Sequence, residues 1–213
     1  MDNKKLAIFD LDGTLIDAYP AIVRSFNYTM RAFGYPAQKT LVIRRAVGWG
    51  DKYLLAPFVK KKHLSGALLV YRRHHKNALR AYAKTIPGAK RVLRYLRNKG
   101  YRLAVASNRP TFFSRILIRT LGLKQYFDFV LCADKLKLGK PHPEILEKIL
   151  KKLHAEAKHT VYIGDMTIDA QAGRRAHIDT IIVTTGSSSE TEIVREKPYR
   201  VISDIRGLLK ILS

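Results

Sequence analysis

The stretch that decides the fold is IFDLDGTLID, residues 8–17, in which two aspartates follow an apolar run. The run KLAIFDL (5–11) shows no alternation of polar and apolar residues before the first aspartate, which is typical of a strand buried on both faces of a parallel sheet. Because ligands bind beyond the carboxyl ends of such strands, we expect Asp10 and Asp12 to lie together at the active face. Taken alone, DLDGT is equally typical of a turn, since Asp and Gly are favoured there.

Further apolar runs of the same kind predict the rest of the sheet. They are RLAVAS (102–107), DFVLC (128–132), TVYIG (160–164), TIIVT (180–184) and YRVIS (199–203). Between them, residues 88–99 and 143–153 place apolar side chains at helical spacing. Strand and helix alternate from residue 86 onward, which predicts an α/β fold with a doubly wound parallel sheet.

Residues 18–84 interrupt this alternation. Their pattern predicts helices over roughly 18–33, 39–47 and 60–83, with no strand among them. We therefore predict a core domain of residues 1–17 and 85–213 and a small inserted α-helical domain of residues 18–84, called the cap below. The segment TIPGAK (85–90) is predicted to return the chain to the core.

Composition limits the class of protein. A chain of 213 residues with 46% hydrophobic content can bury a sizeable core. No apolar stretch approaches the roughly 18 residues of a membrane span, and no leader pattern opens the sequence, so we expect a cytoplasmic protein without membrane association. The single cysteine, Cys132, is expected to be a small buried hydrophobe. The net charge of +23 favours anionic ligands, nucleic acid included, but says nothing about fold, and the sequence leaves the oligomeric state open.

Polar groups stand at three further points where the chain leaves a predicted strand or precedes a helix. Ser107 and Asn108 follow one strand and can bind phosphate oxygens, although an N-cap role fits them equally well. Lys140 precedes two prolines that delay the next helix and stiffen its loop. Asp165 and Asp169 follow another strand and share a face if a helix begins near the first of them.

Together these groups resemble the motifs of the haloacid dehalogenase superfamily, in particular phosphatases that pass through an aspartyl phosphate. DLDGT resembles the first motif, SN the second, the lysine of GKP the third and GDMTID the fourth, and residues 18–84 resemble the helical cap that many members insert after the first motif. The segments VIRRAVGWG (42–50) and SNRP (107–110) most resemble phosphoglycolate phosphatases.

The resemblance implies a role for each motif residue. Asp10 would attack phosphorus as the nucleophile, and Asp12 would act as general acid and then general base. Lys140 would balance charge on the phosphate and on Asp10, while Ser107 and Asn108 would bind the phosphoryl oxygens.

A magnesium ion is implied by the same resemblance. Its ligands would be Asp10, the backbone carbonyl of Asp12, and Asp165, with Asp169 supporting it directly or through water. Relatives that cleave carbon–halogen or carbon–phosphorus bonds differ at the second aspartate, so Asp12 indicates hydrolysis at oxygen.

The cap loop is the predicted reader of the rest of the substrate. Its candidate residues are Arg44, Arg45, Gly48, Trp49 and Gly50. The glycines would let backbone amides approach an anion, an arginine would clamp a carboxylate, and the tryptophan would narrow the opening. An equally good interpretation is that the arginines are surface charges and that the tryptophan packs within the cap.

Two positions depart from the family pattern. Met166 replaces the small hydroxyl residue that is common after the first aspartate of the fourth motif. Where relatives often end the following helix with Ala-Gly, this chain has Ala176-His177, a position at which a left-handed backbone would suit glycine better.

These observations predict a Mg²⁺-dependent phosphatase that acts on a small phosphorylated metabolite, with a phosphoglycolate-like ester as first choice. Alternatives within the superfamily are a phosphosugar mutase and a pyrophosphatase or nucleotidase. An alternative of another class is a nucleic-acid-binding protein with a vestigial phosphatase site, for which the basic runs KKKH (60–63) and RRHHK (72–76) would supply phosphate contacts. However, apolar positions of the same helix already trace a packing stripe.

Overall fold

The computed structural model describes residues 4–212 and contains the predicted sheet. The strands are β1 (Leu6–Phe9), β2 (Ile16–Asp17), β3 (Lys84–Thr85), β4 (Arg102–Ser107), β5 (Phe129–Cys132), β6 (Thr160–Gly164), β7 (Asp179–Val183) and β8 (Arg200–Ile202). Six of them form one sheet in the order β5-β4-β1-β6-β7-β8, and every pair in it is parallel. The predicted α/β class is confirmed, and β1 lies at the centre of the strands that carry the motifs.

Helices cover the sheet and form the inserted segment. They are α1 (Tyr19–Ala32), α2 (Thr40–Ala46), α3 (Asp51–Leu55), α4 (Leu64–Tyr82), α5 (Ala89–Asn98), α6 (Thr111–Thr120), α7 (Glu144–Lys152), α8 (Thr167–Arg175), α9 (Glu190–Arg195) and α10 (Leu208–Ile211). In the described part of the chain, none of them is long and apolar enough to cross a membrane.

Both faces of β1 are buried, as its unbroken apolar run predicts. Leu6 and Ile8 belong to one hydrophobic cluster, which α7 and α8 complete. Ala7 and Phe9 belong to the opposite cluster, to which α5, α6 and α10 contribute. Side chains on successive strand residues point to opposite faces, so an apolar residue is needed at every position.

Short elements account for the differences from the sequence prediction. The helix α3 was not predicted, and the long cap helix begins at Leu64 after a 3₁₀ turn over Lys61–His63. The prediction of no strand within 18–84 is wrong at its last residue, because Lys84 pairs with Asp17 in the two-residue ladder β2–β3. Here the two chain segments that join sheet and cap run side by side, and a pair of residues is too short to show a period-two pattern.

The cap is held together chiefly by α1 against α4. Tyr71, His75, Ala78 and Leu79 of α4 are buried as the predicted stripe requires, whereas Tyr82 at its end is exposed. The division into a core of 1–17 and 85–213 and a cap of 18–84 stays a prediction, and residues 1–3 and 213 lie outside the described part. Cys132 is buried, as expected.

The departure at Ala176-His177 has the expected backbone consequence. His177 follows the end of α8 with a φ of 55°, in the left-handed region, and its side chain is exposed. Residues with a Cβ occupy this region at a cost of about 1–2 kcal/mol, which glycine avoids.

We expect His177→Gly to stabilise the protein. Glycine relieves the strain of the left-handed backbone but adds conformational entropy to the unfolded chain. We expect a net gain of about 0.5–1 kcal/mol in the free energy of unfolding, which raises the thermal midpoint by about 1–4 °C. The measurement is thermal unfolding followed by circular dichroism, with His177→Ala as the control that removes the imidazole but keeps the Cβ. A glycine variant no more stable than the alanine variant would contradict the expectation.

Candidate active site

The predicted motif residues meet at the carboxyl edge of the sheet. Asp10 follows β1, Ser107 ends β4 and Asp165 follows β6, and these three strands are neighbours. Lys140, in the loop between β5 and α7, reaches the same point. The edge therefore gathers groups that are far apart in the sequence, as the strand-end rule predicts.

Lys140 is the central cation of this site. Its ammonium lies 2.8 Å from Asp10 Oδ1 and 2.7 Å from Asp169 Oδ1, and donates to the Tyr162 hydroxyl and the Ala106 carbonyl. Only 3% of the residue is exposed. Burial favours the neutral amine, but the carboxylates of Asp10 and Asp169 outweigh it and raise the pKa of Lys140 well above its usual value. The site thus contains a permanent positive charge.

Asp169 supports the loop that begins α8. Its Oδ1 accepts from Lys140 and from the Tyr162 hydroxyl, at 2.7 and 2.6 Å. Its Oδ2 accepts from the backbone N–H groups of Asp165 and Met166, at 3.1 and 3.0 Å. All of these contacts are buried, so the side chain fixes the position of Asp165 as well as adding charge.

Asp165 has a buried oxygen with no partner. Its Oδ1 accepts a hydrogen bond from Thr14 at 2.9 Å, while Oδ2 has no hydrogen-bond donor within the described structure. Burial, followed by the nearby Asp169 and Asp10 carboxylates, raises the pKa of Asp165 well above its usual value. An unpaired carboxylate oxygen in a buried position is costly unless a further group binds it.

The residues present fit a divalent cation. Oxygens of Asp10, Asp165 and Asp169 lie within 4.8 Å of one another. Two glycines from other loops lie against the unpaired Oδ2 of Asp165. A Cβ at Gly13 would lie 2.3 Å from this oxygen, and a Cβ at Gly186 would lie 1.8 Å from it. Burial, partly offset by Lys140, raises the pKa of Asp10 to about 6. Hard carboxylate oxygens that repel one another are the donors that Mg²⁺ prefers.

Asp12 has a different environment. Both of its oxygens accept hydrogen bonds from Arg109, with Oδ2 2.7 Å from Nε and Oδ1 2.8 Å from Nη2. The third arginine nitrogen, Nη1, lies 2.8 Å from Nε2 of His75 in α4. The sequence did not predict an active-site role for either residue, and His75 was expected only in the packing stripe and the basic run of its helix. The available signal was the position of the arginine, directly after the SN motif.

Asn108 joins three loops. Its side-chain amide donates to the carbonyls of Gly48 and Lys140, at 2.8 and 2.9 Å, and its Oδ1 accepts from the Lys140 backbone N–H at 2.8 Å. The neighbouring Ser107 is buried, and its hydroxyl accepts from the backbone N–H of Arg109. Asn108 therefore positions the loop of Lys140 against the cap loop.

The two cap arginines do not line the cavity of the site. Arg44 stacks on the ring of Tyr19 and donates to the Gly186 carbonyl, while Arg45 pairs with Glu192 at 2.7 Å. Arg44 thus contacts the core loop that precedes α9, and Arg45 contacts that loop at Ser187 as well as the first turn of the helix.

Of the three remaining residues of the predicted cap loop, two line the cavity and one does not. Gly48 and Gly50 line the cavity, and Trp49, 48% exposed, does not. Gly48 has a φ of 121°, a backbone conformation that favours glycine, and a Cβ there would also lie 2.7 Å from the end of the Met166 side chain.

A cavity of about 50 Å³ lies between cap and core. Asp10, Asp12 and Lys140 line its core side, and Leu54, Tyr71 and His75 line its cap side. Such a volume accommodates only a few water-sized groups, which suits a small ligand.

The basic runs lie largely outside this cavity. Lys60, Lys61 and Lys62 are exposed, and Arg72 pairs with Asp51 at 2.7 Å. Only His75 of the second run reaches the site. Nucleic-acid binding stays a hypothesis.

Comparison with known proteins agrees with this geometry. A family model described as haloacid dehalogenase-like hydrolase matches residues 7–183. The probable phosphatase IndB of Dickeya dadantii is 31% identical over 99% of this chain and 97% of its own length. The phosphoglycolate phosphatase of Aquifex aeolicus is 31% identical over 85% of each chain.

Solved structures show the same fold. A predicted phosphoglycolate phosphatase from Haemophilus somnus aligns over the full length of both chains with a TM-score of 0.94 at 24% identity. The family match includes every strand end that contributes to the site, from Asp10 to Asp169. The chain belongs to the haloacid dehalogenase-like hydrolase family.

Proposed function

We propose that this protein is a Mg²⁺-dependent phosphatase that hydrolyses a small phosphomonoester through an aspartyl-phosphate intermediate. The observation that carries the proposal is the contact of the buried Lys140 ammonium with Asp10, beside the unpaired Oδ2 of Asp165 and beneath a small cavity. The names of the two curated relatives, a probable phosphatase and a phosphoglycolate phosphatase, support it.

Asp10 is the nucleophile of this mechanism. Lys140 holds its Oδ1 at 2.8 Å and orients the carboxylate at the end of the central strand. A carboxylate oxygen forms a bond to phosphorus while the bond from phosphorus to the ester oxygen breaks, which leaves an acyl phosphate on Asp10. The fixed charge of Lys140 offsets the repulsion between carboxylate and phosphate dianion.

Asp12 is the proton carrier. It lines the same cavity two residues after the nucleophile. It gives a proton to the departing ester oxygen, and then takes one from the water that attacks the acyl phosphate and releases inorganic phosphate. Ser107, buried at the end of β4, lies on the cavity wall where the phosphoryl oxygens are expected.

Asp10, Asp165 and the backbone carbonyl of Asp12 would hold the metal, and Asp169 would support them. When bound, Mg²⁺ supplies positive charge that neutralises the carboxylates and the phosphoryl oxygens. The cap would close the site against bulk water, since its helix α4 supplies the roof of the cavity.

We expect Asp10→Asn to abolish phosphate release from small phosphomonoesters, 2-phosphoglycolate first among them. The amide is a poor nucleophile, so the rate falls by about 10³-fold or more while the fold is retained. Free phosphate measured in the presence of Mg²⁺ is the readout, and circular dichroism checks the fold. Asp179→Asn, which removes a carboxylate paired with Lys4 away from the site, is the control. Undiminished turnover by the Asp10 variant would overturn the mechanism.

We expect Asp165→Asn to uncouple stability from magnesium. In the wild-type protein, Mg²⁺ raises the thermal midpoint because it binds the folded state. The asparagine removes one of three clustered carboxylates, so we expect the metal-free variant to be more stable than the metal-free wild type. Each kcal/mol gained in the free energy of unfolding raises the thermal midpoint by about 2–4 °C. Melting curves with EDTA, with MgCl₂ and with NaCl at equal ionic strength separate specific binding from screening. Stabilisation of the variant by MgCl₂ to the wild-type extent would count against this metal site.

A further inference from the structure

We propose that Arg109 binds a second anionic group of the substrate, and that this group displaces Asp12 from Arg109. The inference rests on the proposed phosphatase function and names its substrate class. The substrate would be a small phosphomonoester that carries another negatively charged group, either a carboxylate or a second phosphoryl group.

Arg109 is the cation available for such a group. Among the described residues that line the cavity, the cationic side chains are Arg109 and Lys140. Lys140 is already shared between Asp10 and Asp169, and the cap arginines, Arg44 and Arg45, contact the core loop instead. A second negative charge on a ligand in this cavity therefore has Arg109 as its matching partner.

The guanidinium is already arranged to bind an anion through two of its oxygens. Its Nε and Nη2 donate in parallel to the two oxygens of Asp12, at 2.7 and 2.8 Å. A substrate carboxylate or phosphoryl group presents the same pair of oxygens, and can take these donors without a change in the arginine. The exchange keeps the charge of Arg109 paired, while the carboxylate of Asp12 is freed into the cavity that it lines.

The present contact keeps Asp12 from its proposed task. A proton carrier must come within about 2.6–3.2 Å of the ester oxygen, and both Asp12 oxygens are held by Arg109. A substrate with a neutral leaving group gives Arg109 no other anion, so Asp12 stays in the pair. A substrate with a second anion releases Asp12 by replacing it.

The cap keeps Arg109 in place during this exchange. Nη1 of Arg109 lies 2.8 Å from Nε2 of His75, whose ring stacks on Tyr71 and meets Phe113 edge-on. Burial, and then the charge of Arg109, lower the pKa of His75 well below its usual value. The neutral ring accepts from Arg109 at Nε2, and its Nδ1 faces the Ser25 hydroxyl at 3.1 Å. Asp12 is thus the partner that moves.

The test compares three phosphoesters on the wild-type enzyme and on Arg109→Gln. 2-Phosphoglycolate carries a carboxylate, ethylene glycol bisphosphate carries a second phosphoryl group, and 2-hydroxyethyl phosphate carries neither. We expect wild type to prefer one of the two anionic esters over 2-hydroxyethyl phosphate by about 10²-fold or more in kcat/KM. Which of the two it prefers identifies the anion.

In Arg109→Gln we expect that preference to fall about 10²-fold, because the anionic ester loses its partner. The kcat for 2-hydroxyethyl phosphate should rise, since Asp12 is no longer held by Arg109. A purely structural role for Arg109 would lower kcat for every ester alike. Arg109→Lys keeps the positive charge but lacks the two parallel N–H donors, so we expect it to retain part of the preference.

Two controls make the outcomes separable. Arg97→Gln removes an arginine from a surface pair with Asp128 and should leave the preference unchanged. If circular dichroism shows that Arg109→Gln does not fold, the test uses Arg109→Lys alone, for which we expect a smaller kcat/KM preference than in wild type. Hydrolysis of all three esters with no preference, or an Arg109 variant with the wild-type preference, overturns the inference and leaves the phosphatase intact. Absence of any hydrolysis by wild type overturns the phosphatase itself.

Discussion

The buried Lys140 ammonium between two carboxylates is the interaction on which the site depends. It lies 2.8 Å from Asp10 at the end of β1 and 2.7 Å from Asp169 in α8. Removal of one partner from a buried ion pair typically costs about 3–5 kcal/mol, because an uncompensated charge is left behind. The same lysine receives two backbone contacts from Asn108, so the loops after β1, β4, β5 and β6 are fixed relative to one another through one residue.

Charge balance explains why this site favours a bound cation. Lys140 and Arg109 face the carboxylates of Asp10, Asp12, Asp165 and Asp169, so negative charge is in excess near the sheet edge. The excess is concentrated at the unpaired oxygen of Asp165, where a cation would be stabilised. Arg109, by contrast, pairs with Asp12 and contacts His75 of the cap. The proposed metal site and the proposed anion site therefore use different carboxylates, since the clustered ones are Asp10, Asp165 and Asp169.

The sheet and the aspartates at its strand ends were predictable because they depend on local sequence, whereas Lys140 was identified through the resemblance of GKP to a family motif. An unbroken apolar run indicates a strand covered on both faces, and the edge at which parallel strands end places Asp10, Ser107 and Asp165 together without knowledge of any contact. The partner of Asp12 was not predictable in this way. Asp12 and Arg109 are separated by 97 residues, and the position of this arginine directly after the SN motif does not reveal which carboxylate it pairs with. The cap arginines illustrate the same limit, since their partners lie 142 and 147 residues away.

The polar contacts between cap and core are of two kinds, and only one kind involves the reacting groups. Arg45 with Glu192 is an exposed pair at the rim, of a type that contributes about 0–1 kcal/mol. Arg109 with His75, and Asn108 with Gly48, are buried or partly buried contacts that start from the two residues after Ser107 at the end of β4. Any movement of the cap away from the core must break these two contacts, and the first of them holds Arg109 in place while its anion is exchanged. Cap position and the proposed anion site are therefore linked through Arg109, which contacts both Asp12 and His75 of the cap.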